Sequence, residues 1–196
     1  MALPTTTMRV RLTLTEPLLG TVPKNQDVYA RYIASRAPTP ENGDEEVETT
    51  PEEIESAGWT GFHSDEKGLF LYDYQVKGLL KEAGNTLKDL LGVKALRSKI
   101  DSYVFIRPRR IYLGKAEPDG VFERPLRAQT PQGPRVALAR SDYVDAGTEV
   151  EFEVVVLEGP VKPKHIEAIL EYGALKGLGQ FRNGGFGRFT AEVEPA

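Results

Sequence analysis

A chain of 196 residues, 40% hydrophobic and 28% charged, can bury one ordinary core and falls outside the disordered class. It contains no cysteine, which excludes a disulfide framework, thiolate catalysis and thiolate zinc sites. The net charge of −4 is unevenly spread: residues 37–66 hold ten acids and no Lys or Arg, the remainder sets 25 bases against 19 acids, and 97–140 alone holds ten bases and four acids.

Met1–Met8 lacks the basic and apolar regions of a signal peptide, and no apolar run reaches membrane-spanning length. A soluble, cytoplasmic protein is expected. Met8–Thr15 alternates strictly, with Val10, Leu12 and Leu14 on one side and Arg9, Arg11 and Thr13 on the other, the pattern of a half-buried strand. Pro17 and Gly20 end it. Val28, Tyr32 and Ile33 fit a short helix over 24–36. Residues 37–58, with three prolines and eight acids, read as an acidic flexible insertion.

Gly68–Asp73 predicts a second strand. The spacing of Val76, Leu79, Leu80, Ala83, Leu87, Leu90 and Leu91 predicts an amphipathic helix over 74–91. Gly78 and Gly84 are unfavourable inside it and point to close packing. Residues 103–113 form strand material broken at Pro108, and 134–140 another short strand. Glu149–Leu157 alternates, with Val150, Phe152, Val154 and Val156 on the core side. Pro163 opens the last helix, whose face is Ile166, Ile169, Leu170 and Gly173. Phe186–Val193 is the last strand, with Phe189, Ala191 and Val193 inward.

This order predicts an α+β domain with an antiparallel sheet and helices on one face. The economical choice is a ferredoxin-like (RRM-like) βαββαβ core in a single domain, 1–196, with 97–140 a basic insertion or hairpin region. The outer face of the first strand would then carry Arg9 and Arg11, and that of the last Phe186 and Arg188. A basic and aromatic open face suits single-stranded RNA.

Between the last helix and strand lies Gly177-Leu178-Gly179-Gln180-Phe181-Arg182-Asn183-Gly184-Gly185-Phe186-Gly187-Arg188-Phe189. Glycine permits close backbone approach, arginine offers forked donors, and rings offer stacking faces. A dinucleotide fingerprint would follow a strand and open a helix, the reverse of this context. A P-loop needs Gly-Lys-Ser/Thr, which is missing. A capping role for Gly177 explains one or two glycines but not five with two arginines.

Three stretches resemble the RAMP superfamily of CRISPR-associated RNA-binding proteins: Arg9–Gly20, Leu71–Lys81, and Ala146–Phe152 followed by the closing helix and the loop 177–188. The resemblance implies a glycine-rich loop that binds the RNA backbone, matched here by Gly177, Gly179, Gly184, Gly185 and Gly187. Lys77 matches the basic residue opening the second-motif helix. The family's Pro-Gly-Ser-Ser turn is replaced by Tyr72-Asp73-Tyr74-Gln75. One core fits this length, as in backbone subunits of effector complexes. In those subunits an insertion crosses the guide RNA and touches the next copy, a part open to 97–140; an ordinary basic hairpin is the other reading.

Metal-independent RNA cleavage activates a 2′-OH and protonates a leaving oxygen. His63 is the catalytic candidate, with Tyr72, Tyr74 or Lys77 as helpers; a loop histidine is the plainer reading. His165 is expected to face solvent. The acidic segment lacks recognised metal-ligand spacing, so no metal or cofactor is expected. The leading reading is a non-catalytic binder of single-stranded guide RNA in a CRISPR-type ribonucleoprotein, partnered by copies of itself or other subunits. Arg182, Arg188 and Lys77 would supply charge, Phe181 and Phe186 stacking faces, and Arg9 and Arg11 the sheet contacts. The alternatives are a metal-independent endoribonuclease using His63, and a structural or interaction protein of a phage or other mobile element.

Overall fold

The computed structural model describes residues 3–24, 58–130 and 133–196. The helix expected over 24–36 and the acidic segment 37–58 fall outside them, but for Lys24 and Gly58.

Strand β1 runs Thr5–Leu14, with Met8, Val10, Leu12 and Leu14 buried and Arg9 and Arg11 outside, as the alternation requires. It is central in a four-stranded antiparallel sheet with β7 (Val104–Arg107), β11 (Glu149–Leu157) and β12 (Phe189–Pro195). The order across the sheet is β12-β1-β11-β7. Val10 stands between Phe152 and Val193, and Leu12 between Val150 and Ala191, so one face is continuous core.

Two helices cover that face. Helix α1 (Asp73–Leu87) buries Val76, Leu79, Leu80 and Ala83. Its start is fixed by Gln75, whose Oε1 accepts the Tyr72 N–H at 2.8 Å. Helix α3 (Pro163–Lys176) buries Ile166, Ile169 and Leu170. Its start uses His165, whose Nδ1 accepts the Lys162 N–H at 3.1 Å. His165 is therefore buried in a cap and does not face solvent. A third helix, α2 (Leu96–Tyr103), was not expected; Leu96 and Ile100 are its only buried anchors. It leans on α1 at Gly84, where a Cβ would meet the Ile100 side chain.

A second sheet is built on β10 (Gly133–Val144). It pairs with β9 (Gly120–Thr130) as a long hairpin, and at its base with β2 (Leu18–Leu19) and β4 (Trp59–Gly61), which pairs in turn with β3 (Val22–Pro23). The sequence marked 97–140 as an insertion or hairpin region, but of these two strands only 134–140 was read as strand. Pro125 in β9 disguises the other strand, and proline is tolerated there because β9 pairs on one side only among the described residues. A third sheet joins β5 (His63–Asp65), β6 (Gly68–Tyr72) and β8 (Arg110–Tyr112). Among the described residues, no helix is long and apolar enough to cross a membrane.

Candidate nucleic-acid interface

The loop 177–188 is folded tightly on itself. The Gly177 N–H caps α3 through the Gly173 carbonyl at 2.8 Å, the Leu178 N–H reaches the Gly187 carbonyl at 2.8 Å, and the Gly187 N–H reaches the Pro17 carbonyl at 2.8 Å. Gly184 and Gly185 donate to the carbonyls of Phe181 and Arg182 in a 3-10 turn, Arg182–Gly184. A Cβ at Gly177, Gly179, Gly184 or Gly187 would strike Phe186, Leu18 and Leu19, the Phe181 ring or Leu178. Three of the five, Gly177, Gly179 and Gly187, combine positive φ with a backbone collision, Gly184 would meet only the Phe181 ring, and Gly185 combines positive φ with open space. The loop is anchored at Gln180, whose Oε1 accepts Thr60 at 2.9 Å and Ser141 at 3.0 Å.

This folding gathers an aromatic cluster beside basic residues, with Phe181 exposed and Phe122, Phe186 and Arg124 half-buried. Phe181 and Phe186 lie 5.7 Å apart and both approach Phe122 of β9, at 6.3 and 4.7 Å. Arg124 of the same strand sits 4.3 Å over the Phe181 ring, and burial lowers its pKa. Phe122 did not stand out in the sequence, and Arg124 did so only as part of the basic stretch Arg124-Pro125-Leu126-Arg127, because nothing local says that β9 docks against the loop. Phe186 and Arg188 belong to the loop and not to the outer face of the last strand, which begins at Phe189. Arg188 is exposed and makes no ion pair among the described residues; it shares a shallow recess with Asn183, Gly184 and Gly185.

Arg182 points elsewhere. Its Nη1 donates to Glu82 Oε2 of α1 at 2.7 Å, latching the loop to the helix. Below this latch is a cavity of about 380 Å³ lined by His63, Tyr74, Glu82, Gly179 and Arg182 among others. The His63 ring stacks on Phe70 at 5.6 Å and meets Tyr72 edge-on at 4.6 Å. Burial lowers its pKa, so the imidazole stays neutral at neutral pH. Tyr72 and Tyr74 stack at 5.3 Å, with Arg109 above both. Arg110 likewise lies 5.2 Å over Phe70, so two successive arginines cover these rings.

Three expected contributors lie apart from this assembly. Lys77 donates to the main-chain carbonyls of Val104 and Asp101, closing the end of α2, and burial lowers its pKa. Arg9 and Arg11 face outward from the four-stranded sheet, but that face is not basic. Arg9 stands between Glu153 and Glu194, and Arg11 between Glu151 and Glu192. Arg11 donates to Glu151 at 2.7 Å, and this bond above all raises its pKa. No group of three or more His, Asp or Glu that could hold a metal ion occurs among the described residues.

No family model and no curated protein matches the chain by sequence. Solved structures do match. A chain in the cryo-EM structure of the type III-B Cmr-beta complex bound to cognate target RNA superposes with a TM-score of 0.52 at 12% identity, over 97% of this chain and 61% of that one. A chain of a type IV-B CRISPR complex gives 0.47 at 11% identity, over 95% and 90%. This chain thus shares its fold with, and spans about three-fifths of, the Cmr-beta chain. At 12% identity this likeness is one of fold.

Proposed function

We propose that this chain is an RNA-binding subunit of a CRISPR-type ribonucleoprotein, built on a ferredoxin-like core. Single-stranded RNA lies along the loop 177–188 and the adjoining base of the β9–β10 hairpin. One observation carries this reading: the loop and β9 together hold three phenylalanine rings, with Arg124 on one of them and Arg188, without an ion pair among the described residues, lining a recess with Phe186. Stacking faces with nearby cations are what sequence-tolerant binding to single strands needs. The core topology supports it: the strands at 5–14, 104–107, 149–157 and 189–195 lie in the order fourth-first-third-second, with a helix before the second and the fourth. The Cmr-beta neighbour belongs to an RNA-bound complex. The grip falls on backbone and base faces, largely without sequence readout. Copies of this chain or other subunits would share the strand.

The test is a salt series with labelled single-stranded RNA, run beside a denaturing gel in EDTA. Intact RNA and affinity that falls with a log–log slope of about −2, for roughly three neutralised phosphates, are expected. Phe181→Ala should weaken binding by about 1–3 kcal/mol. Arg182→Ala with Arg188→Ala should weaken it further; unchanged affinity would leave a protein-interaction role. The shared cavity of His63, Tyr74 and Arg182 favours a second reading, cleavage with neutral His63 as general base. Shortened RNA, abolished by His63→Ala with binding retained, would select it.

A further inference from the structure

We infer that the cavity between the glycine loop and α1 takes one unpaired base of the bound strand, and that Glu82 selects guanine. The inference rests on the RNA reading above and adds a base-specific site to it.

At about 380 Å³ the cavity is of small-ligand size. Its walls suit a base: the rings of His63 and Tyr74 line it with Leu71 and Leu178. Its polar side chains are Thr21, His63, Tyr74, Gln75, Glu82 and Arg182. Gln75 makes one bond at each end, its Oε1 taking the Tyr72 N–H at 2.8 Å and its Nε2 donating to Thr21 at 2.9 Å, which leaves it one lone pair and one N–H. Glu82 is different. Oε2 accepts Arg182 at 2.7 Å, whereas the neighbour of Oε1 is Lys176 at 3.9 Å, beyond hydrogen-bond reach. A carboxylate has about four lone-pair sites, so Glu82 retains acceptor capacity.

An acceptor-only group chooses among bases by their Watson–Crick edges. Guanine offers N1–H and the N2 amino group side by side. Adenine and cytosine set one amino donor next to an unprotonated ring nitrogen, which repels a carboxylate. Uracil sets one N–H between two carbonyls. Only guanine presents adjacent donors, and the remaining N–H groups of Arg182 suit its O6 or the adjoining phosphate. His63 stays neutral and adds no competing cation.

The experiment compares a uridine run of about ten nucleotides, within the span of a single-strand site, with the same run carrying one central G, A, C or inosine. Fluorescence anisotropy is read at fixed salt with the wild-type chain and Glu82→Gln. The expected result is about tenfold tighter binding for G over U, A and C, falling to within about threefold in Glu82→Gln. Inosine keeps N1–H and O6 but lacks the N2 amino group, so it should lose most of the preference. That arm needs no variant and stands even if Glu82→Gln does not fold. Equal affinity for all four bases, with salt-sensitive binding intact, overturns this inference and leaves the proposed function standing. A guanine preference that inosine fully retains also overturns it. No binding to any RNA at low salt overturns both.

Discussion

Gly187 sits at φ +70 with a would-be Cβ directed into the Leu178 carbonyl, while Gly185 sits at φ +91 with nothing within 4 Å. The two positions separate strain from collision. Gly185→Ala should cost about 1 kcal/mol, and Gly187→Ala about 3 kcal/mol or more, in urea unfolding. Comparable losses would show that the loop does not close through Gly187. His63 gives a second residue-scale expectation. Its folded pKa lies below the ordinary 6.5, so the unfolded chain binds the extra proton first as pH falls. Its contribution is complete above pH 6.5 and is lost as pH drops through the folded value. Stability followed from about pH 7 to 5.5 should therefore decline, and His63→Phe, which keeps a ring against Phe70, should flatten the decline. His165, whose pKa burial also lowers, accounts for the slope that remains.

At the scale of elements, the two glycines of α1 have opposite meanings. Gly84 marks the crossing with α2, where a Cβ would meet Ile100; Gly78 has open space around it. Gly78→Ala should stabilise the chain by about 0.5–1 kcal/mol through helix propensity alone. Gly84→Ala should destabilise it by about 1–3 kcal/mol, because Ile100 is fully buried and has little room to yield. Thermal or urea unfolding of both variants reads the contrast directly. Both glycines look alike in the sequence, where both suggested close packing. The helix that distinguishes them, Leu96–Tyr103, has two apolar anchors one turn apart and runs straight into a strand, so its periodicity is too short to read.

At the scale of the molecule, charge is distributed differently over two surfaces. The open face of the four-stranded sheet alternates Arg9 and Arg11 with Glu149, Glu151, Glu153, Glu192 and Glu194. The glycine-loop side sets the half-buried Arg124 over the exposed Phe181 ring and adds the exposed Arg188. Arg188→Glu should therefore weaken single-stranded RNA binding by about tenfold at moderate salt, and Arg11→Glu by no more than about twofold. The reverse order would move the RNA to the sheet face.

The sequence by itself determined the strands and helices whose apolar period is long. Thr5–Leu14, Glu149–Leu157, Asp73–Leu87 and Pro163–Lys176 follow from alternation or 3.6-residue spacing, since each must bury one face. It also marked the loop at 177–188, because five glycines with rings and arginines are rare together. Only the tertiary structure decided what those residues do. It turned most of the glycines inward, tied Lys77 to the end of α2, and paired Arg11 with glutamates. It also brought Phe122 and Arg124 to the loop and put His63, Glu82 and Arg182 around one cavity. These residues lie far apart in the chain and act through neighbours that no local pattern names. A side chain's period tells which way it faces; its partner is fixed only when the sheets and helices pack.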